Sequence, residues 1–200
     1  VVQSLKDISL SGAIGFFFAI FVLYIFLRNW WVTLIVSTAV PFALLMTMAY
    51  MYLTGLTLNI LSMMGLMLAI GMLVDNAVVV SESIFKEESE SSAPRRQAIL
   101  AGIRHVGLAV MTGTVTTVIV FLPNIIGEKI NITVFLSHVA TTITVSLFAS
   151  LFIALTIIPL LLYKLPIKIK SNNSVWLQKL INRYAKILGW TVKHPIWTFG

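Results

Sequence analysis

Asp75 stands out in this sequence because an ionisable side chain occurs there in the middle of a long apolar run, residues 60–83. A carboxylate at the centre of a membrane helix costs at least about 2.5–3.5 kcal/mol. The low dielectric of such a place disfavours the ionised form, whereas a nearby cation favours it. A carboxyl group whose surroundings alternate between these conditions takes up and releases a proton, which is the chemistry of a proton-driven pump.

A structural role is the alternative, in which the Asp75 carboxylate is permanently paired with a Lys or Arg of another helix. No Lys or Arg stands at a similar depth in the apolar runs of these 200 residues, so a partner would have to come from elsewhere. Ionisable residues inside membrane helices are rare and mostly functional. The sequence therefore favours a proton-carrying role for Asp75.

The helical spacing around Asp75 places Gly71, Val79 and Glu82 on the same stripe. Gly71 and, beside the stripe, Ala77 are small enough to let a neighbouring helix approach closely. Glu82 falls near the end of the apolar run, where it could serve as a proton exit or simply be solvated. We therefore predict a relay centred on Asp75, with Glu82 as a secondary member.

Neutral polar residues extend this candidate relay. Asn76 cannot carry a proton but can form hydrogen bonds near Asp75. Thr114 and Thr117, in a later apolar run, could line a polar path opposite Asp75, or they could be ordinary helix contacts. His138 and the eight Met residues do not stand at ligand spacing with a second His or a carboxylate. No metal site and no cofactor are predicted.

The composition explains why these residues must lie in a membrane. Hydrophobic residues make up 58% and charged residues 10%, and the mean hydropathy is +0.98. Soluble domains contain about 25% charged residues. The absence of Cys excludes disulfides and thiolate chemistry, and no Gly-rich phosphate loop with a following Lys is present. The lipid bilayer is the predicted partner, and an enzyme is the least supported class.

Five apolar blocks reach the length of about 20 residues that a membrane-spanning helix needs. They predict an all-α membrane protein with a five-helix transmembrane bundle over residues 1–165. The predicted helices cover residues 8–27, 30–53, 60–83, 98–122 and 132–163. Pro41 lies inside the second block, where neighbouring helices can satisfy the carbonyl that it leaves free.

The net charge of +7 reports topology and not nucleic-acid binding, because the charges stand between the apolar blocks. Of the fourteen Lys and Arg residues, only Lys6 and Lys129 fall on one side of the predicted bundle. Short loops on the cytoplasmic side of a membrane are enriched in Lys and Arg. The other side is therefore predicted to be cytoplasmic, and the N-terminus of this sequence to be outside. That placement, with Val at position 1, leads us to expect a piece of a larger protein.

The C-terminal segment has a different pattern. Apolar residues, including Trp176, recur at helical spacing over 172–190, and a basic face lies opposite them. This pattern predicts an amphipathic helix on the cytoplasmic membrane surface, with an ordinary soluble helix as the alternative. Residues 194–200 resemble the start of a further membrane helix.

Particular runs of residues resemble one known family. They are 58–62, 65–80 and Glu82 in the third block, 26–29 and 40–41 in the first two, 95–99, 115–117 and 121–123 around the fourth, and 154–159 in the fifth. Together they resemble the resistance-nodulation-division (RND) efflux permeases, in which residues 58–80 match the fourth transmembrane helix. The resemblance covers essentially the whole chain, as helices two to six of the first half plus the surface helix.

The resemblance implies a proton antiporter of drugs or other toxic compounds in the bacterial inner membrane. It implies a membrane Lys from the rest of the permease as the partner of Asp75, and a homotrimer with a periplasmic adaptor and an outer-membrane channel. The isolated segment is expected to be inactive. Asn76 is a departure, because drug exporters of this family often have a second Asp there. A non-transporting membrane module, sterol-sensing-like or scaffolding, is the alternative.

Overall fold

The computed structural model describes residues 2–27, 29–91, 93–127 and 131–165 and, near the C-terminus, 182–186, 188–189 and 191. The chain forms two compact units, Val1–Ile167 and Lys168–Gly200. The helices of the first unit are α1 (Val2–Leu27), α2 (Trp30–Ser37), α3 (Ala39–Thr54), α4 (Ile60–Glu90), α5 (Arg95–Ile126), α6 (Asn131–Leu155) and α7 (Ile157–Lys164). The described residues include no strand. The predicted all-α membrane fold is confirmed.

Four helical spans are long and apolar enough to cross a membrane: Trp30–Thr54, Ile60–Glu90, Arg95–Ile126 and Phe135–Lys164. A shorter apolar stretch, Leu10–Ile25, lies within α1. In the second unit the described residues of 182–191 are helical, and the rest of the predicted surface helix lies outside the described residues. Residues 194–200 lie outside them as well.

The ends of α4 and α5 extend beyond the apolar blocks. Helix α4 continues to Glu90, about two turns past residue 83, and α5 begins at Arg95 and not at residue 98. The apolar blocks mark only the part of a helix that lipid can cover, and the polar continuation remains helical beyond them. We call the end of the bundle that contains Glu90, Arg95 and Lys164 the basic end.

Two of the predicted helices are each broken into two. The span 30–53 is interrupted at Thr38, and the span 132–163 at Thr156. Pro41 and Pro159 stand three residues after these breaks, giving the same Thr-x-x-Pro spacing twice. Proline has no N–H, and its ring collides with the carbonyl four residues earlier. Those carbonyls belong to the last residues of α2 and α6, which is why the helices end there.

Local capping fixes the turns. The Asn29 side chain accepts a hydrogen bond from the Trp31 backbone N–H at 3.1 Å and so begins α2. Asn59 and Ser62 form a capping box at the start of α4. Gly55, with φ of 70°, ends α3 in the left-handed conformation that suits glycine.

Helix α4 lies at the centre of the first unit and packs against α1, α3, α5 and α6. Glycines permit the closest approaches. A Cβ placed on Gly65 would lie 3.0 Å from the Val139 carbonyl oxygen of α6, and one on Gly102 would lie 2.7 Å from the Ile84 Cα. Small residues at helix contacts are the usual means of close packing in membrane proteins.

Candidate functional site

Asp75 lies on the exposed stripe of the central helix. The exposed residues of this stripe are Met64, Leu68, Gly71, Asp75, Val79 and Glu82. The opposite side of α4 is fully buried at Ala69, Leu73, Ala77, Val80 and Ile84. The helical period of 3.6 residues separates the two sets. Asp75 therefore lies on the side of α4 that the described residues of this chain leave uncovered.

No basic side chain of the described residues pairs with Asp75. In this part of the chain Arg95 forms an ion pair with Glu88, at 2.8 Å, and the His105 Nδ1 lies 2.9 Å from the Glu87 Oε1. Both lie at the basic end, where α4 and α5 meet. Within the described ranges, Asp75 also accepts no hydrogen bond.

Asn76 and Thr114 are brought together between α4 and α5. The Thr114 hydroxyl is directed at the Asn76 Oδ1, 3.3 Å away, and at the Val110 carbonyl of its own helix, 2.9 Å away. Thr114 is buried. Thr117 does not join this group, because its hydroxyl donates to the Gly113 carbonyl within α5.

The two small residues singled out near Asp75 have different surroundings. Ala77 is fully buried, and its carbonyl accepts a hydrogen bond of 2.5 Å from the Ser81 hydroxyl. A Cβ placed on Gly71 would meet no atom of the described residues within 4 Å. Ala77 therefore belongs to the helix packing of this unit, whereas Gly71 faces the same uncovered side as Asp75.

Sequence reasoning missed a row of buried hydroxyls on α6. Thr142, Ser146 and Ser150 recur at every fourth position and are almost completely buried. The Ser150 hydroxyl donates to the Leu73 carbonyl of α4 at 2.6 Å, two residues before Asp75. Ser146 contacts the Thr47 hydroxyl of α3 at 3.0 Å. The four-residue spacing of small hydroxyl residues in an apolar block was the signal.

Glu82 occupies the basic end of the exposed stripe. It lines a cleft of about 530 Å³ between α4 and α5, together with Lys86, Glu87, Glu90 and His105. The described residues contain no group of three His, Cys, Asp or Glu that could hold a metal ion. The arrangement is thus one carboxyl group deep in the apolar part of α4 and a separate group of charged residues at the end of the same helix.

A bundle of helices long and apolar enough to cross a membrane defines a multi-pass membrane protein. The whole chain, residues 1–200, matches the family model described as the AcrB/AcrD/AcrF family. The chain belongs to this family of RND multidrug efflux permeases.

Curated relatives carry the same name in several bacteria. The chain is 35% identical to the multidrug resistance protein MdtC of Pectobacterium atrosepticum, over 97% of this chain and 19% of that protein. It is 35% identical to MdtC of Serratia proteamaculans, over 98% of the chain and 20% of the relative. The chain thus spans about one fifth of the length of these relatives. These matches do not favour the alternative of a non-transporting module.

Proposed function

We propose that this chain is the proton-coupling part of an RND efflux transporter that exchanges protons for drug-like or other toxic compounds. The observation that carries the proposal is the position of Asp75, on the exposed stripe of the central helix and without a basic partner among the described residues. An ionisable group inside a membrane helix is energetically costly, and such groups mostly serve a function.

The proposed cycle has two states of Asp75. In one the carboxylate is ionised and paired with a Lys supplied by the rest of the permease; in the other it is protonated and the pair is released. When this ion pair is released, the attraction between the exposed side of α4 and the helix that supplies the Lys is lost, and α4 is free to shift. Because Ser150 and Thr114 bind α4 to α6 and α5 on the other side, a shift of α4 would move these helices with it.

The setting of this cycle is also proposed. The basic end is cytoplasmic, and the membrane is the bacterial inner membrane. The complete permease is a homotrimer that works with a periplasmic adaptor and an outer-membrane channel. Since the chain spans about one fifth of its relatives, these 200 residues are not expected to export by themselves.

The test is Asp75→Asn in the complete protein, with substrate efflux and proton movement measured in proteoliposomes. The amide retains the shape of the carboxyl group but cannot be ionised, so proton-coupled export should be lost while expression is unchanged. Glu90→Gln is the matched control, because Glu90 is an exposed carboxylate at the end of the same helix. Normal proton-coupled export by Asp75→Asn would contradict the proposal.

A further inference from the structure

A cleft separates α5 from the break between α6 and α7. Its volume is about 490 Å³. Its walls include Ile99 and Ile103 of α5 and, across from them, Leu155 and Pro159. The break at Thr156 interrupts the α6–α7 span beside α5, and the cleft lies at this break. Its walls are therefore apolar side chains of two neighbouring spans.

The polar groups of the cleft lie at one end. Arg95 Nη2 donates to the carbonyls of Leu162 and Leu165, at 2.7 Å each, so the start of α5 and the end of α7 are side by side. Arg96 and Tyr163 thus stand at the basic end of the cleft. Ile103 lies about two helical turns deeper. Thr156 adds no free donor, because its hydroxyl donates to the Phe152 carbonyl at 2.5 Å.

Arg96 differs from its neighbour in having no partner. The Arg95 guanidinium is used by two carbonyls and by the Glu88 carboxylate, 2.8 Å away. Arg96 is exposed and forms no ion pair or hydrogen bond within the described ranges of the chain. An unpaired guanidinium at the mouth of an apolar cleft matches an anionic group that is attached to an apolar chain.

The level of the mouth agrees with that chemistry. Trp30, Trp31, Tyr163 and Lys164 lie at the same end of the bundle as Arg96, and aromatic and basic residues concentrate where a membrane meets water. Below them the cleft is lined by apolar residues of two spans that are long and apolar enough to cross a membrane. Basic pockets between membrane helices on the cytoplasmic side are suited to anionic lipid headgroups.

We propose that this cleft binds one anionic phospholipid. Its phosphate contacts the Arg96 guanidinium and the Tyr163 hydroxyl, and one acyl chain lies between Ile99 and Ile103 on one side and Pro159 on the other. The site is independent of Asp75 and of proton coupling, so it can be tested without a transport assay.

The test measures lipid binding by the complete protein. Native mass spectrometry detects the bound lipid as the protein is titrated with phosphatidylglycerol or with phosphatidylcholine. Arg96→Ala should weaken phosphatidylglycerol binding about five-fold, the factor that corresponds to about 1 kcal/mol per basic side chain near an anionic surface. Arg104→Ala is the matched control, because Arg104 is exposed on the same helix and does not line this cleft. Phosphatidylcholine has the same phosphate but no net charge, so its binding should be weaker than that of phosphatidylglycerol in the wild type and should fall less on Arg96→Ala.

A second pair of variants tests the acyl-chain half. Leu160→Trp should fill the cleft and reduce binding of phosphatidylglycerol, whereas Phe152→Trp, on an exposed position outside the cleft, should not. Equal effects of Arg96→Ala and Arg104→Ala would overturn the proposal. The proposal would also be overturned if inorganic phosphate bound in an Arg96-dependent way that Leu160→Trp did not affect. It would equally be overturned if another segment of the permease filled the cleft and no lipid entered it.

Discussion

Asp75 and Asn76 are adjacent in sequence, yet the helix directs them to different surroundings. Successive residues of an α-helix are rotated by about 100°, so Asp75 faces the uncovered side while Asn76 faces α5. The position at which some relatives are expected to have a second acid is thus used here for a helix–helix hydrogen bond. One ionisable group remains at this depth of α4, and we expect one proton per Asp75 in each cycle.

The Asn76–Thr114 contact can be tested by a double-mutant cycle. Thr114→Val and Asn76→Leu, singly and together, should give a coupling free energy of about 0.6 kcal/mol and at most about 1.7 kcal/mol, as for other hydrogen bonds between membrane helices. Reversible unfolding in detergent measures it. The control is Thr116→Val, because the Thr116 hydroxyl bonds only the Thr112 carbonyl of its own helix among the described residues. A coupling free energy of zero would show that the Asn76–Thr114 contact does not stabilise the packing of α4 against α5.

The sequence was informative about the charged residue of the site and less so about its supports. Asp75 could be identified because a charge in an apolar run is conspicuous. Ser150 is marked in the sequence only by its four-residue spacing from Ser146, and its bond to the Leu73 carbonyl depends on how α6 packs against α4. The small size of Gly71 predicts close approach of a neighbouring helix, and a helix that could approach there would have to come from outside the described residues of this chain.

At the scale of the helices, the close approach of α4 and α5 depends on Gly102. Gly102→Ala places a methyl group 2.7 Å from the Ile84 Cα, where backbone must move. We expect a loss of about 1–3 kcal/mol in the free energy of unfolding, typical of an overpacked core. Gly113→Ala is the control, because a Cβ there meets no described atom within 4 Å and alanine favours the helix by about 1 kcal/mol. Equal stability of the two variants would contradict this packing.

Helix type and approximate position followed from the sequence, whereas the breaks did not. Apolar length alone predicts five spans, because lipid demands it. The sequence predicts that Pro41 is tolerated inside one helix, and it gives no separate prediction for Pro159. The structure ends a helix at both places because each proline displaces the carbonyl four residues before it. Whether a proline bends a membrane helix or ends it depends on the packing around it.

At the scale of the whole molecule, the distribution of positive charge predicts the orientation. The turn between α4 and α5 lies at the basic end, and the turn between α3 and α4 at the other. These 200 residues contain no Cys, so single cysteines introduced here can report both sides once any Cys in the rest of the permease has been replaced. We expect Ala93→Cys to react with a membrane-impermeant thiol reagent only from the cytoplasm, and Thr57→Cys only from outside. The reverse pattern would invert the proposed direction of proton flow.

In the proposed mechanism Asp75 itself gains and loses the coupling proton. Infrared difference spectroscopy of the complete protein in a bilayer, recorded between two pH values within the range in which it transports, detects the C=O stretch of a protonated carboxyl group. We expect a band that is present in the wild type and in Glu90→Gln and absent in Asp75→Asn. An unchanged band in Asp75→Asn would show that another group carries the proton and would contradict the proposed role of Asp75.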